Sequence, residues 1–325
     1  MKKLWILLVI MMGVSFIAIG VGSTYITPAE LITALTNRNA SSWFIVHHYR
    51  LPRDLLAIMA GAGLAVAGVL LQGMIRNPLA SPDVVGVSKG AGFAAVLVIV
   101  LLPSSPVALL PVAAFVGAGL AALLLVQLSM RGGMRPNMLA LTGLAVGAIF
   151  QAATDYILVK YPLEASDTLT WLAGSLWGKG WDEVYGLLPW LIVLLPLAYT
   201  LQHKLDIMSL DEESSAGLGL SVKRMRTGLL AVSVALAAAC VAAIGSIGFI
   251  GLLAPHLARR LFGNRHRYLL PGAAMIGALI LVLADALGRG LKPPLEIPAG
   301  IVTAVIGAPY FLYLLLRERK QKSSG

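Results

Sequence analysis

The sequence predicts an all-α integral membrane protein, and two observations lead to this prediction: its composition and its long apolar runs. Of the 325 residues, 58% are hydrophobic and 12% are charged, and the mean hydropathy is +0.85. A chain of this composition cannot cover a soluble surface with polar groups. A run of ~20 apolar residues matches the hydrocarbon thickness of a bilayer, where backbone groups must be satisfied within the segment. The runs are therefore predicted to be transmembrane helices.

Ten segments are predicted to cross the membrane. They are 4–22, 54–75, 84–102, 107–130, 138–159, 184–201, 227–244, 247–262, 268–288 and 297–316. The segment 247–262 is short and contains Gly248, Gly251 and Pro255, which predicts a broken or tilted helix. If it did not cross, the C-terminus would lie outside.

The basic residues predict that both termini are cytoplasmic. We expect 4–22 to remain as an uncleaved first span, because the apolar run after Lys2 and Lys3 is long and no small-residue cleavage motif follows it. With ten spans, most lysines and arginines fall in cytoplasmic loops, as the positive-inside rule requires. The net charge of +10 is then explained without a nucleic-acid partner.

Several classes of site are not predicted. Cys240 is the single cysteine, so neither a disulfide nor a cysteine metal site can form. No G-x-x-x-x-G-K-[ST] motif is present to cradle ATP phosphates. The five histidines show no metal-ligand spacing. We therefore expect no catalytic residue, no cofactor-binding residue and no metal ligand in this chain.

Glycines inside the predicted spans indicate close helix packing. Gly61 and Gly68 lie in one span and Gly143 and Gly147 in another, and small residues let helix backbones approach each other in lipid.

The polar stretch 202–226 is the longest between predicted spans, and the topology places it in the cytoplasm. Ser209 with Glu212 fits a capping box, Gly217 is expected to end that short helix, and Ser221 is expected to cap the next helix. Such a segment favours a docking surface, although a solvated connector is the alternative.

Four blocks carry a family resemblance: RLPR (50–53), NPLASPDVVGVSKGAG (77–92), GSIGFIGLLAPHLARRLFG (245–263) and PPLEIPAGIVTAVIGAPYF (293–311). Together they resemble the iron-siderophore and cobalamin (FecCD-type) permease family of ABC importers, over about residues 5–317. The resemblance implies a single permease domain, 1–325, with ten helices and a cytoplasmic coupling segment at 202–226. It places the protein in the bacterial cytoplasmic membrane as a multi-pass chain.

The resemblance also implies partners. They are a second permease subunit, identical or paralogous, two copies of a cytoplasmic ATPase, an extracytoplasmic binding protein and the surrounding membrane lipid. The ATPase uses ATP and Mg, so this chain is not an enzyme by itself and holds no cofactor. The PPLE and GNRHRYLLP stretches look most like those of ferric-siderophore and ferric-citrate permeases, while haem and cobalamin stay open as cargo.

Three sets of functional residues follow from the resemblance. Arg50, Arg53 and Arg289 are expected to dock the binding protein, although anchoring in headgroups is the alternative. The ATPase is expected to contact Leu210, Glu212, Leu218 and Leu220. The cytoplasmic gate is expected at Asn77, Pro78, Leu79 and Ala80 and at Arg135, Pro136 and Asn137, where the prolines could also be ordinary loop residues.

Two rival classes remain open. A secondary transporter needs ionisable residues inside the membrane, and Asp155 and Asp285 qualify by position. However, Asp285 lies one turn before Arg289, which predicts a local ion pair, and no partner for a proton relay is visible. A membrane-embedded enzyme would need a convergent polar pocket that the sequence does not show.

Overall fold

The computed structural model describes residues 2–106, 108–130, 136–210 and 212–323, and every regular element in those ranges is helical. The helices are α1 (Lys2–Gly20), α2 (Pro28–Thr36), α3 (Trp43–Ile45), α4 (Leu51–Ile75), α5 (Val87–Leu101), α6 (Leu109–Met130), α7 (Pro136–Lys160), α8 (Ala165–Leu172), α9 (Trp181–Thr200), α10 (Gln202–Met208), α11 (Glu212–Gly217), α12 (Val222–Ile244), α13 (Ile250–Phe262), α14 (His266–Gly290) and α15 (Ala299–Ser323). A π-helical turn, Val46–Arg50, joins α3 to α4.

A helix lies within each of the ten predicted spans. In the ranges that the structure describes, seven are long and apolar enough to cross a membrane: α1, α6, α7, α9, α12, α14 and α4 with the turns before it. Helices α5 and α15 are apolar over shorter stretches, and α13 has 13 residues. The protein is therefore an all-α, multi-pass membrane protein.

The central helices are α4, α12 and α14. In the most apolar window of each, 78%, 78% and 61% of residues are buried, against 28% in α6, α7 and α9. The first three therefore form the core, and the outer helices face lipid with one side.

Glycine contacts hold this core together, as the sequence predicts. A Cβ on Gly61 would collide with the backbone of Gly277 in α14, and one on Gly68 would collide with the backbone of Gly251 in α13. Gly143 and Gly147 lie against the turn before α5 in the same way. Side chains at these positions would force the helices apart.

Helix α2 is not predicted by hydropathy, because it is short and amphipathic. Thr27 and Glu30 form a full capping box at its start, and Pro28 occupies its first turn. Its Leu31 and Ala34 are buried with Ile19 and Ile26 in a small separate cluster.

Candidate functional site

Two cavities are lined in part by the segment 77–84, which lies between α4 and α5. The first, called here the apolar cavity, has a volume of about 770 Å³ and is lined mainly by apolar residues from four parts of the chain, including Val84, Leu172, Phe249, Leu252 and Ile301. The second, called here the basic cavity, has a volume of about 430 Å³. It is lined by Gln72, Arg76, Asn77, Pro78, His256, Arg259 and Arg260.

Helix α13 contributes to both cavities. Leu252 lines the apolar cavity, and His256 and Arg259 line the basic cavity. These residues are spaced four and three apart, so they share one face of the helix. One face of α13 therefore lines both cavities.

The predicted gate residues divide into two groups. Asn77 and Pro78 line the basic cavity. Their turn is held locally, since the Asn77 side-chain oxygen accepts a hydrogen bond from the Leu79 amide at 2.9 Å, and the Ala80 amide donates to the Asn77 carbonyl at 3.1 Å. Leu79 is half-buried and Ala80 is buried. Arg76, just before this turn, adopts a left-handed backbone with φ 53°, which is uncommon for a residue with a Cβ.

Of the second predicted gate segment, the described residues Pro136 and Asn137 line neither cavity. Pro136 begins α7, where a missing N–H costs nothing, and Asn137 is exposed. Arg135 lies outside the described residues.

Phe249 and Asp83 form a feature that sequence reasoning missed. Phe249 has φ 68° at the start of α13, an outlier for an aromatic residue, and its ring lies where a side chain on Gly307 of α15 would be. Asp83 is half-buried beside it. Burial raises the pKa of the Asp83 carboxyl, against the opposing effects of the Ser88 hydroxyl, the Lys89 charge and the Phe249 amide. Positive φ at a phenylalanine leaves no signal in a sequence.

The polar segment 202–226 folds into α10, α11 and the start of α12. The expected short helix that ends at Gly217 is α11, followed by Gly219 with φ 80°, but the helix expected after Ser221 is not short, because it continues as the 23-residue α12. The predicted capping box at Ser209 is wrong. Ser209 instead follows α10, where its hydroxyl donates to the Asp206 carbonyl at 2.6 Å. Ser221 precedes α12 as predicted but makes no side-chain cap bond.

Arg76 and His266 tie this segment to the ends of α4 and α14. Arg76 Nε donates to the Met208 carbonyl at 3.1 Å, next to the predicted gate. The Asp206 carboxylate accepts the His266 backbone amide at 3.0 Å and lies 2.6 Å from its Nδ1, at the start of α14. Within the segment, Ser215 Oγ donates to the Ile207 carbonyl at 2.9 Å. A displacement of α10 is therefore transmitted to both α4 and α14.

The predicted ATPase-contact residues differ in exposure. Leu210 is 45% exposed and Leu218 is 64% exposed, so both present apolar side chains on a polar segment. Leu220 is half-buried and packs against the core. Glu212 forms an ion pair with Arg226, whose side chain is buried, at 3.3 Å.

The three predicted docking arginines lie in one cluster, called here the arginine cluster, with Asp54, Asp285 and Glu296. Arg50, at 6% exposed, donates to the carbonyls of Ile19 and Gly20 at 2.8 and 2.9 Å. Arg289, at 4% exposed, donates to the carbonyls of Val21 and Ala18. These two arginines therefore close the end of α1 against α4 and α14.

Arg53 and Asp285 form the centre of the arginine cluster. Arg53 binds Asp285 through two nitrogens, at 2.7 and 3.0 Å, and lies 2.8 Å from Glu296. The predicted local pair between Asp285 and Arg289 is confirmed, at 3.0 Å. Asp54 accepts a hydrogen bond from Ser15. Two of the arginines, Arg53 and Arg289, thus pair with carboxylates, whereas Arg50 is held by backbone carbonyls.

Neither a proton relay nor a metal site is visible among the described side chains. Asp155 is exposed and accepts a hydrogen bond from Gln151 at 2.8 Å. No group of three or more His, Cys, Asp or Glu side chains in the described ranges could hold a metal ion.

Comparisons with known proteins agree on one family. The Fe(3+)-citrate import system permease protein YfmE of Bacillus subtilis (strain 168) is 55% identical over 317 residues, covering 98% of this chain and 95% of that protein. The Fe(3+) dicitrate transport system permease protein FecD of Escherichia coli (strain K12) is 47% identical over 277 residues, covering 85% and 86%.

A solved structure agrees with these relatives. An inward-facing metal-chelate type ABC transporter superposes with a TM-score of 0.87 at 30% identity, covering 97% of this chain and 99% of that one. The FecCD transport family matches residues 7–317. Because that match extends over almost the whole chain and the fold agrees with it, the chain belongs to the FecCD transport family.

Proposed function

We propose that this chain is a permease subunit of an ABC importer that takes up ferric citrate or a related ferric siderophore. The observation that carries the proposal is the 55% identity to a Fe(3+)-citrate import permease over nearly the full length of both chains. The two cavities lined in part by the segment 77–84 support a path for such a cargo.

In this proposal residues 1–325 form one permease domain in the bacterial cytoplasmic membrane, with ten spans and both termini in the cytoplasm. The helices at all ten predicted positions support the count. The excess of basic residues in the loops that this topology puts inside supports the orientation.

The partners in this proposal are a second permease subunit, two copies of an ATPase, an extracytoplasmic binding protein and membrane lipid, with no nucleic acid. ATP and Mg belong to the ATPase, and the permease holds no catalytic group, cofactor or metal. The segment 202–226 receives the ATPase, for which the exposed Leu210 and Leu218 supply apolar contacts. Glu212 and Leu220 then support this surface from behind, through Arg226 and the core.

Motion of the ATPases drives the gate in this scheme. A push on α10 passes through Met208 to Arg76 and so to Asn77, Pro78, Leu79 and Ala80. Arg135, Pro136 and Asn137 are proposed to close the path from the partner-facing side, as in the resemblance. Rocking of rigid helices about a central path is the common form of alternating access.

Docking of the binding protein is proposed at the surface that Arg50, Arg53 and Arg289 support. Their burial favours a positioning contribution, in which the arginine cluster fixes the shape of that surface. Arg53 is the member with a partly exposed ion-pair partner, Glu296.

Uptake of radioactive iron tests the function. Cells lacking their own ferric-citrate system and supplied with this permease, its partner permease, ATPase and binding protein should accumulate ⁵⁵Fe from ferric citrate. An inactive ATPase should abolish the uptake, and uptake that continues without ATP hydrolysis would show a secondary transporter. If haem or cobalamin competes with the uptake and unlabelled ferric citrate does not, the cargo is haem or cobalamin and the assignment to ferric citrate is wrong.

Pull-down of the ATPase tests the coupling surface. Leu218→Asp should lose the ATPase, because a charge replaces an exposed apolar contact. Leu163→Asp is the matched control, since Leu163 is 92% exposed and lies far along the chain from 202–226. Equal recovery of the ATPase by both variants would exclude this surface.

A further inference from the structure

The basic cavity contains a concentration of positive charge that the fold itself does not balance. Arg76, Arg259 and Arg260 line it together with His256, and its other lining residues are Gln72, Asn77 and Pro78. None of the ion pairs formed within 2–106, 108–130, 136–210 and 212–323 includes one of these three arginines. Three guanidinium groups around one space repel each other unless an anion lies between them.

The arginines are also held in place by contacts with neutral groups. Arg259 is half-buried and donates to the side chain of Gln72, which itself donates to the Gly251 carbonyl at 3.3 Å. Arg76 is fixed by its bond to Met208 and by its left-handed backbone. A left-handed residue is a common end of an α-helix, and here it leads the chain from α4 into the turn at Asn77.

The position of the cavity determines what kind of anion reaches it. One face of α13 leads from the apolar cavity at Leu252 to Arg259, and the gate residues Asn77 and Pro78 form part of the same lining. A cargo that passes the segment 77–84 therefore meets these arginines next. Ferric citrate carries carboxylate groups and is a net anion, and guanidinium groups bind carboxylates through paired hydrogen bonds.

We propose that the basic cavity is a transient binding site for the carboxylate groups of an anionic iron chelate as it leaves the gate. This inference rests on the proposed function and adds a site and a charge class to it. Arg259 and Arg260 hold the carboxylates, and Arg76 connects the occupied site to α10 of the coupling segment. The site also predicts a preference for anionic over neutral chelates at this step.

Binding of ¹⁴C-citrate, free and as ferric citrate, tests the proposal. The full transporter, with its partner permease and ATPases, is placed in phosphatidylcholine nanodiscs and studied by equilibrium dialysis at low and high salt. Wild type should bind in a salt-sensitive manner, and Arg259→Gln and Arg260→Gln should each bind about tenfold more weakly, the loss expected for one charge-assisted hydrogen bond. Arg259→Lys keeps the charge but loses the paired hydrogen bonds, so its affinity should lie between those of wild type and Arg259→Gln.

The matched control is Arg224→Gln, since Arg224 is an exposed arginine at the start of α12, outside the cavity. It should bind citrate as wild type does. Absence of binding by wild type, or equal loss in Arg224→Gln, would overturn the site. Arg260 is exposed, so its variant is expected to fold even if Arg259→Gln does not.

Two further measurements distinguish failure of the proposed citrate site from failure of the proposed function. If phosphatidylglycerol in the nanodiscs abolishes citrate binding, the cavity is a lipid-phosphate site and the proposal is wrong. Uptake of ⁵⁵Fe from ferric citrate is measured in parallel. Uptake by wild type without citrate binding rejects only the basic cavity, whereas absence of any uptake rejects the proposed function itself.

Discussion

The two ends of α4 carry arginines in opposite circumstances. At its start, Arg53 and Arg289 share the carboxylate of Asp285, Arg53 also pairs with Glu296, and Arg50 donates to backbone carbonyls. At its end, Arg76 faces Arg259 and Arg260 across a cavity whose lining contains no carboxylate. Buried charges that are paired hold helices in position. At the other end, Arg76 and Arg260 are exposed and hydrated, so their charges are available to an anionic ligand.

The largest expected effect is a loss of stability when the ion pairs at the start of α4 are broken. Asp285→Asn removes the carboxylate that pairs with both Arg53 and Arg289 and leaves Arg53 with Glu296, and removing one partner of a buried ion pair costs about 3–5 kcal/mol. Thermal unfolding of the purified permease in detergent measures the loss. Asp155→Asn, at an exposed aspartate, is the control and should unfold as wild type does. A loss of similar size in both variants would remove the distinction between paired and exposed carboxylates.

The next effect concerns the link between α10 and α14. Asp206→Ala removes the acceptor of the His266 amide and ring nitrogen, which should cost about 1–2 kcal/mol of stability. It should also lower iron uptake while ATP hydrolysis continues, because the push on α10 no longer reaches α14. Lys204→Ala, an exposed position on the same helix, should change neither measurement. Normal uptake by Asp206→Ala would show that this contact carries no coupling.

A smaller, pH-dependent effect is expected at Asp83, where burial opposes ionisation. Because the pKa of Asp83 is raised in the folded protein, the folded protein holds this proton more tightly than the unfolded chain. The stability that the proton contributes is lost as pH rises through the folded pKa. Asp83→Asn should therefore raise the melting temperature relative to wild type more at pH 8 than at pH 5. Glu213→Gln, at an exposed acid, should show the same difference from wild type at both pH values.

The smallest expected effect is on the free energy of unfolding when an arginine of the basic cavity, at the end of α4, is replaced. Arg260→Gln should change the free energy of unfolding by less than about 0.5 kcal/mol, because the arginine is exposed and has no carboxylate to lose. The same variant is expected to weaken citrate binding. A large loss of stability would mean that Arg260 supports the fold, and the contrast between the two ends of α4 would be wrong.

Hydropathy and glycine spacing predicted the helical fold well, because both are local properties. All ten predicted segments contain helices, and the glycines of α4 lie where backbones touch. Helix α2 was missed although Thr27 and Glu30 have the spacing of a capping box, which was the available signal. The prediction that Ser209 begins a capping box was wrong because Ser209 lies just after α10, where its hydroxyl donates to the Asp206 carbonyl in the preceding turn.

The candidate site was predicted only in part, because its contacts join distant residues. Asn77 and Pro78 were identified from their motif, but Arg259 meets Gln72 across 187 positions, which no local pattern reports. The spacing of Leu252, His256 and Arg259 on one helix face was visible in the sequence. What that face meets depends on how α13 packs against α4, and this could not be inferred from one chain.

The contacts of Gly61 with Gly277 and of Gly68 with Gly251 bring backbone directly against backbone along much of α4. Where backbones touch, no side chain fits between them, so a residue larger than glycine at these positions must displace α13 or α14 from α4. Displacement of α13 also moves Leu252 and Arg259, which line the two cavities. The glycines of α4 therefore set the distance between Gln72 of α4 and Arg259 of α13.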